Sequence, residues 1–262
     1  MTIRQVTDFL EGIAPAHLQE SYDNAGLIVG DPAEEVTGVL TSLDCTEAIV
    51  EEAAARGCNV VVAHHPIVFR GLKRLNGANY VERTVIKAIR LGIAIYAIHT
   101  NLDNVRFRGV NERIAQRLGL TDLRLLRAKN EEQTIGSGMV GELPRPLDER
   151  DFLAYLRERM QAPVVRHTPL LGTPIRTVAV AGGAGGFLLP DAKQAGAQAF
   201  VTADYKYHEF FDADGELVIC DIGHYESEQF TTQLLADLLS KEFTTFAVLS
   251  TERNTNPVRY FV

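Results

Sequence analysis

The chain lacks three features that would each assign it to a special class of protein. It has no excess of basic residues, since its 262 residues carry a formal charge of −8, which argues against nucleic-acid binding through general basicity. Its three cysteines form no C-x-x-C pair, so we expect reduced thiols in a cytoplasmic protein and no disulfide framework. It has no apolar run of membrane-spanning length, and "MTIRQVTDFLEGIAP" has no apolar core of the signal-peptide type. We therefore expect no membrane span.

The composition is that of an ordinary globular protein, with 46% hydrophobic and 23% charged residues. Strand-like and helix-like segments alternate along the first half, as in "NVVVA", "YVERTVIKAIRLG" and "IAIYAIH". Short β-branched apolar runs predict strands that are buried on both faces, and strands joined by helices predict a parallel sheet. The fold class that we predict is therefore α/β, with mostly parallel or mixed sheets.

We predict two α/β lobes, because the alternation of strands and helices starts again after about residue 128. The first lobe comprises residues 1–128 together with 217–262, and the second comprises residues 129–216. The closing segment "LVICDIGHYESEQFTTQLLADLLSKEF" predicts a strand followed by one long helix. No low-complexity linker separates the lobes, so we expect them to pack closely.

Two adjacent histidines, His64 and His65, follow the apolar run "VVVA" where a strand would end. A His-His pair by itself indicates a structural role at least as strongly as a ligand. The next predicted strand ends in a similar manner, with His99 and then Asp103. Because neighbouring parallel strands bring their carboxyl ends to one edge of a sheet, we expect these side chains to lie close together. The alternative for Asp103 is a turn residue, since "NLDN" is typical of a turn.

The segment "DIGHYESEQF" predicts a third strand end, followed by a helix that begins near His224. His224 and Glu228 are at i and i+4, so they lie on one helical face, as helical metal ligands do. Glu226 is directed elsewhere by this spacing, and the alternative for both glutamates is stabilisation of the helix N-terminus. Imidazole and carboxylate ligands suit divalent metals such as Zn, Fe, Mn or Ni. Because one catalytic zinc needs only about three protein ligands, the larger set predicts two divalent metal ions per chain.

These segments also carry a resemblance to a known family. The chain resembles the Nif-three-like family, whose members are often labelled "GTP cyclohydrolase 1 type 2 homologs". The matching stretches follow one another along almost the whole chain, and they are "ESYDNAGLIVG", "HHPIVF", "HTNLDNV", "GVNERIAQRLGL", "VTADYKYH" and "GHYESE". Two positions depart from the family pattern: Tyr22 stands where tryptophan is frequent, and Ala203 replaces the glycine of the usual "TGD". Neither position is a predicted ligand.

The resemblance implies a fold, an assembly and an activity. The fold is two interlinked three-layer α/β lobes, and the assembly is a toroidal homohexamer whose sites face an internal cavity. The implied ligands of the two metal ions coincide with the residues selected from the strand ends, namely His64, His65, Asp103, His224 and Glu228. The implied activity is that of a GTP cyclohydrolase, in which water opens the imidazole ring of guanine and formate leaves. The expected substrate is then a small molecule of the nucleotide class.

Two further segments offer groups for an anionic substrate, and each has a second interpretation. The segment Ala181–Gly186 follows a strand and provides backbone amides for a phosphate, but without a Walker lysine it is more typical of a structural turn. Lys206 and His208 in "DYKYH" are the candidate substrate-binding residues, and an exposed polar loop is the other interpretation. A basic group after Leu123 indicates either a local basic patch or, more commonly, a solvated loop or helix edge; its members are Arg124, Arg127 and Lys129.

The function that we expect is metal-assisted hydrolysis, with His99 transferring a proton or orienting a ligand. The alternative is a non-catalytic metal-binding scaffold of a regulatory or metal-handling kind, for which a closed metal site would be typical. Binding of nucleic acid has little support in an acidic chain, although strongly salt-dependent binding of single strands would indicate it.

Overall fold

The computed structural model describes residues 1–261, and its elements alternate between strands and helices. The helices are α1 (Ile3–Ile13), α2 (Glu47–Ala55), α3 (Tyr80–Leu91), α4 (Thr100–Asp103), α5 (Val110–Arg117), α6 (Glu149–Arg159), α7 (Leu189–Gln194), α8 (His224–Glu228) and α9 (Thr231–Glu242). The strands are β1 (Gly26–Val29), β2 (Gly38–Ser42), β3 (Val60–Ala63), β4 (Ala94–Ala97), β5 (Thr121–Ala128), β6 (Gly136–Leu147), β7 (Arg166–His167), β8 (Ile175–Val180), β9 (Ala199–Thr202), β10 (Val218–Asp221) and β11 (Ala247–Ser250). In this described part, no helix combines the length and the apolar character needed to cross a membrane.

Capping residues explain where the longer helices begin and end. The Asn79 side chain accepts a hydrogen bond from the Glu82 amide at 3.0 Å, and α3 begins there. The same helix ends at Gly92, whose φ of 63° is a left-handed conformation that glycine adopts without strain. Asp148 caps α6 by accepting from the Arg150 amide at 3.1 Å. The helix predicted from "YVERTVIKAIRLG" is therefore confirmed, with Gly92 as its cap.

The first compact unit, called unit 1 below, comprises Met1–Leu102 and Thr231–Pro257. Its described strands form a sheet in the order β1-β4-β3-β2-β11. β11, β2, β3 and β4 are parallel, whereas β1 is antiparallel to β4. All residues of β2, β3 and β4 are buried, and Ile49, Val85 and Ala88 of the neighbouring helices belong to the same core. Burial on both faces explains why these strands are continuous apolar runs.

The second compact unit, called unit 2, comprises Asp103–Phe230 and Val258–Val262. Its sheet has the order β5-β6-β8-β9-β10-β7 in the described residues. β8, β9 and β10 are parallel, and the remaining pairs are antiparallel. Phe200, Leu217 and Ile219 lie in the core of this unit. Both sheets are mixed, so the predicted α/β class with mostly parallel or mixed sheets is confirmed.

The bounds of the two units differ from those of the predicted lobes, which are residues 1–128 with 217–262, and residues 129–216. The antiparallel pairing of β5 with β6 explains one difference, because it places the residues before 128 in unit 2. The parallel pairing of β10 with β9 explains the other, because it places the residues after 217 in the same unit. Val262, with which the predicted first lobe ends, lies outside the described residues.

The single long helix predicted after "LVICDI" is wrong. The structure has two helices there, α8 and α9, and the break falls at residues 229–230. The boundary between the two units falls at the same place, because Phe230 belongs to unit 2 and Thr231 to unit 1. The pattern of apolar residues continues through the break without glycine or proline, which explains why the sequence predicts one helix.

The basic group after Leu123 lies on and just after β5, which is an edge strand of the sheet of unit 2. Arg127 forms an ion pair with Asp191 at 2.5 Å, and the Lys129 ammonium donates to Asn104 Oδ1 at 3.0 Å. The guanidinium of Arg124 donates to the main-chain carbonyl of Ala195. Each cation has a partner of its own, which argues against a basic patch. The predicted loop or helix edge is wrong, because Arg124 and Arg127 lie on a strand.

The three cysteines are buried, and the described residues contain no disulfide. Burial, followed by the charge of Asp44, raises the pKa of the Cys45 thiol to about 12. Burial is also the largest cause that raises the pKa of Cys58 and of Cys220. These thiols therefore remain protonated near neutral pH and act as small apolar side chains.

Candidate metal centre

Two neighbouring parallel strands of unit 1 bring three histidines together. β3 and β4 are in register from Val60 to Ala63, so His64 and His99 follow them at one edge of the sheet. The ring centroids of His64 and His65 are 5.0 Å apart, and each lies 5.3 Å from that of His99. One nitrogen of each ring lies within 4.8 Å of the other two, which is close enough for the three to hold one metal ion. We call these residues the histidine group.

The orientation of the first two rings is set by oxygens that can only accept hydrogen bonds. His64 is completely buried, and its Nδ1 lies 2.8 Å from the main-chain carbonyl oxygen of Ile98. His65 Nδ1 lies 2.8 Å from the carboxylate of Asp44. Each Nδ1 is therefore the donor, and in the neutral ring the lone pair is on Nε2. Oxygens on the far side of a ring hold metal-binding histidines in proteins in the same way.

The third ring, that of His99, is held by Asp23. His99 Nδ1 lies 2.8 Å from Asp23 Oδ1, and the Thr100 amide donates to the other carboxylate oxygen at 3.0 Å. Burial raises the pKa of Asp23, but the hydrogen bonds from His99 and Thr100 outweigh this effect and lower it to about 2. Because Asp23 stays ionised, His99 also carries its proton on Nδ1 and presents Nε2 as a base or a ligand. All three members of the histidine group thus fit a divalent metal ion.

In unit 2, His224 and Glu228 lie together on α8, which follows β10. The i, i+4 spacing has the expected result, since His224 Nε2 lies 3.1 Å from Glu228 Oε2. His224 Nδ1 lies 2.7 Å from a carboxylate oxygen of Asp204. Burial lowers the pKa of His224, but the charge of Glu228 and the hydrogen bonds to Asp204 and Glu228 outweigh it and raise the pKa to about 11. The two carboxylates beside His224 therefore favour a positive charge between them, and either a proton or a metal ion can supply it.

Asp103 is the first residue of unit 2 and the last of α4, and it is partly buried. Its main-chain oxygen accepts a hydrogen bond from the side chain of Asn111 at 2.9 Å. The five predicted ligands are thus divided between the units. His64 and His65 lie together in unit 1, and His224 and Glu228 lie together in unit 2.

A family model described as Duf34/NIF3 (NGG1p interacting factor 3) matches residues 1–257. The chain belongs to the DUF34/NIF3 family. A protein of Lactococcus lactis named "GTP cyclohydrolase 1 type 2 homolog" is 34% identical over 264 residues, which cover 97% of this chain and 98% of that protein. One of Clostridium perfringens with the same name is 31% identical and covers 87% of both chains. Among solved structures, a hypothetical protein of Staphylococcus aureus has a TM-score of 0.91 at 31% identity, over 100% of this chain and 99% of that chain. The family resemblance seen in the sequence is confirmed.

The glycine-rich segment of this DUF34/NIF3 chain, Ala181–Gly186, is a structural turn packed against α8. Its amides donate to side chains of unit 2: that of Gly182 to Asn111, that of Gly183 to Ser227 and that of Gly185 to Thr202, each at 3.0 Å. These amides therefore already have acceptors, which argues against a phosphate cradle.

Gly183 also sets how closely this turn approaches the glutamate of α8. Its φ is +58°, and a Cβ at this position would lie 2.5 Å from Glu228 Oε1 and 3.2 Å from His224 Cε1. Only glycine fits there without displacing one of the two candidate ligands. The turn thus positions His224 and Glu228, a role that the glycine pattern alone did not reveal.

Lys206 and His208 stay predictions as substrate-binding residues of this family member. The Lys206 side chain is 84% exposed, and its ammonium lies 3.6 Å from Glu209. His208 is exposed and its ring stacks on that of Phe211, at a centroid distance of 6.5 Å. Lys206 lines a cavity of about 500 Å³ that three carboxylates also line, those of Asp204, Glu209 and Asp212. The surplus of negative charge in this cavity does not favour an anionic ligand.

Sequence reasoning missed the carboxylates that hold the rings, namely Asp23, Asp44 and Asp204. Two of them lie just after the end of a strand, which is the pattern that predicted the histidines. Asp44 follows the end of β2 and Asp204 follows the end of β9. Asp23 has no such position, since it lies before β1 and is 76 residues away from His99. It does lie in "ESYDNAGLIVG", one of the stretches in which the chain resembles its family.

Proposed function

We propose that the protein is a metal-dependent hydrolase that binds two divalent metal ions per chain. The observation that carries this proposal is the histidine group, in which three imidazoles converge while an oxygen holds each Nδ1. The ligands that we propose are those implied by the family resemblance, namely His64, His65, Asp103, His224 and Glu228. Imidazole and carboxylate donors suit Zn, Fe, Mn or Ni.

A bound pair of divalent metal ions supplies Lewis acidity and a water that ionises near neutral pH. The residue that we propose for proton transfer is His99, which approaches the reacting group through Nε2. Asp23 stays ionised beside His99 Nδ1, so it fixes the tautomer and stabilises the imidazolium that forms when Nε2 takes a proton. The pair can therefore accept a proton in one step and return it to the leaving group in the next.

The substrate that we propose is a nucleotide, with GTP as the first to be tested. Support comes from the printed name of the relatives, "GTP cyclohydrolase 1 type 2 homolog". In that reaction water adds to the imidazole ring of guanine, the ring opens and formate leaves. From the resemblance we also propose a toroidal homohexamer, and from the three unpaired thiols a cytoplasmic location. Native mass spectrometry of the purified protein tests the hexamer directly.

The first experiment measures metal content per chain by elemental mass spectrometry, on protein purified without chelator or nickel affinity resin. We expect about two divalent metals per chain, with loss of metal in His65→Ala and full content in His17→Ala, which removes an exposed histidine of the same unit. Folded protein that stays metal-free after incubation with Zn, Fe or Mn would rule out the mechanism. Asp103→Ala should lose metal and activity together, and full retention of metal would exclude Asp103 as a ligand.

The complete burial of His64 supports a second candidate, a non-catalytic metal-binding scaffold. A closed set of ligands is typical of a structural metal site, whereas a catalytic metal keeps a position open for water or substrate. Cobalt-substituted protein discriminates the two, because azide changes the visible spectrum only where a ligand can exchange. No spectral change, together with no turnover of nucleotides or phosphoesters at full metal content, would favour the scaffold.

A further inference from the structure

Two exposed aromatic rings lie beside the histidine group in unit 1. Tyr22 is 63% exposed and Phe69 is 46% exposed. Their ring centroids are 6.2 Å apart with an interplanar angle of 30°, and the Phe69 ring lies 5.9 Å from that of His99. The Asn24 side chain donates to the Val68 carbonyl oxygen at 2.6 Å, so the loops that carry the two rings are joined. We call Tyr22 and Phe69 the aromatic pair.

The position of the aromatic pair distinguishes it from ordinary exposed apolar residues. Single apolar side chains are common on protein surfaces and need no explanation. Here two large rings contact each other at the edge of a group of candidate metal ligands, while a large part of each faces solvent. Aromatic surface left exposed next to a polar site is typical of a place where a ligand binds. The rings are too close to admit another ring between them, so a planar ligand would stack on an outer face.

A basic loop follows Phe69 directly in an otherwise acidic protein. Arg70, Lys73 and Arg74 are all exposed, and none of them forms an ion pair with an acidic residue among those that the structure describes. The chain as a whole carries a formal charge of −8. This loop is therefore a local positive region next to the aromatic pair, and it favours an anionic group on the ligand.

We propose that the aromatic pair and the basic loop together bind a nucleotide, and this inference rests on the proposed hydrolase function. The base stacks on the aromatic pair, and the phosphates lie against Arg70, Lys73 and Arg74. In this arrangement the base lies beyond the Phe69 ring, whose centroid is 5.9 Å from that of His99. The aromatic pair thus selects for a planar heterocycle, and the basic loop selects for the negative charge of the phosphates.

The experiment measures the affinity of metal-loaded protein for GTP, for guanosine monophosphate and for ribose 5-phosphate, which has the phosphate but no base. The variants are Tyr22→Ala, Phe69→Ala and a triple replacement of Arg70, Lys73 and Arg74 by alanine. Tyr80→Ala is the matched control, because Tyr80 is 60% exposed on the same unit. Chromatography after each titration shows whether the nucleotide has stayed intact.

Each aromatic variant should weaken binding of the two guanine nucleotides by about five- to a hundredfold, and should leave binding of ribose 5-phosphate unchanged. The triple variant should weaken all three ligands, and it should reduce the dependence of their affinity on salt. Equal affinity of Tyr22→Ala, Phe69→Ala and Tyr80→Ala for GTP would overturn the proposal. Absence of nucleotide binding by the parent protein would overturn it as well.

These outcomes separate the inference from the proposed function. Base-dependent binding without turnover would support the nucleotide site and count against the hydrolase. Two metals per chain with hydrolysis of other substrates, but without base-dependent binding, would do the reverse. A single-stranded oligonucleotide is included as a competitor, because the end of a strand also offers a base and phosphates. Tighter competition by the oligonucleotide than by GTP would support the same site and assign the base to a strand.

Discussion

The two candidate ligand groups of the molecule are built from opposite chemistry. In unit 1 the histidine group contains imidazoles alone, and the nearby carboxylates Asp23 and Asp44 bind the far side of the rings. In unit 2 a single imidazole, that of His224, lies between two carboxylates, those of Asp204 and Glu228. The first group offers nitrogen donors alone, whereas the second combines one nitrogen donor with two carboxylates, only one of which a protonated His224 can neutralise.

This difference determines what a metal ion must displace. At the histidine group an oxygen accepts the proton on each Nδ1, so Nε2 is the ring nitrogen that remains to bind a metal ion. At His224 and Glu228, the raised pKa of His224 shows that a proton already provides the positive charge. A metal ion must replace that proton, which makes binding there dependent on pH.

Removal of one charge from unit 2 should have the largest effect. In Glu228→Gln an amide replaces a candidate ligand carboxylate that is only 3% exposed. Loss of a residue that only orients a ligand lowers metal affinity by up to ~100-fold, and we expect a larger loss here. Glu226→Gln is the control, because Glu226 is equally buried but is not at i+4 from His224. Competition with a chelating dye measures both. Equal affinity in the two variants would remove Glu228 from the ligand set.

Removal of the oxygens behind the rings of unit 1 should have the next largest effect. Asp44→Asn and Asp23→Asn each replace the acceptor of an Nδ1 proton, and metal affinity should fall by about 10–100-fold while the protein stays folded. Asp8→Asn, which changes an exposed aspartate on α1, should leave the affinity as it is. If the two variants bind metal as tightly as Asp8→Asn does, these carboxylates have no part in positioning the rings.

A single methyl group in the glycine turn should disturb unit 2 and spare unit 1. Gly183→Ala places a Cβ 2.5 Å from Glu228 Oε1 at a φ of +58°, which should lower the free energy of unfolding by about 1–3 kcal/mol and weaken metal binding to His224 and Glu228. In Gly186→Ala the nearest atom, on Tyr205, would be 3.5 Å away, so this variant is the control. Urea unfolding and metal titration of both variants measure the effects; similar behaviour of the two would count against the turn as a support.

In metal-free protein the two groups should depend on opposite ends of the pH range. The pKa of Asp23 lies at about 2, below its ordinary 3.8, so its contribution of about 2 kcal/mol is present above pH 3.8 and is lost as the pH falls through 2. The pKa of His224 lies at about 11, above its ordinary 6.5, so its contribution is complete below pH 6.5 and is lost as the pH rises through 11.

Urea unfolding of chelator-treated protein at a series of pH values measures both contributions. Asp23→Asn should flatten only the acid side of the stability profile, and His224→Gln should flatten only the alkaline side. The comparison between the two groups would fail if either variant flattened the opposite side.

The sequence predicted the residues that local pattern determines. The run "VVVA" with its β-branched residues became a strand buried on both faces, and the polar residues after it became the histidine group. The i, i+4 spacing of His224 and Glu228 was enough to place them within 3.1 Å of each other. In each case the signal lies within a few residues, where strand and helix periodicity apply.

Contacts that depend on distant residues or on the main chain could not be predicted from the sequence. Nothing in the side chain of Ile98 predicts that its carbonyl oxygen holds His64, and Asp23 lies 76 residues from His99. β5 was not predicted, because Arg124 and Arg127 make this segment too polar to resemble a buried strand. Charged residues are, however, frequent on edge strands, and here leucines lie between them. The break between α8 and α9 coincides with the boundary of the two units and has no breaker residue of its own.

The burial of all three thiols also makes the protein a reporter of its own unfolding. Because Cys45, Cys58 and Cys220 are inaccessible and protonated in the native state, a thiol reagent reacts only when their surroundings open. Cys45 and Cys58 belong to unit 1, whereas Cys220 belongs to unit 2. The rate at which each thiol is labelled, read by peptide mass spectrometry, therefore times the opening of each unit separately, without any engineered probe.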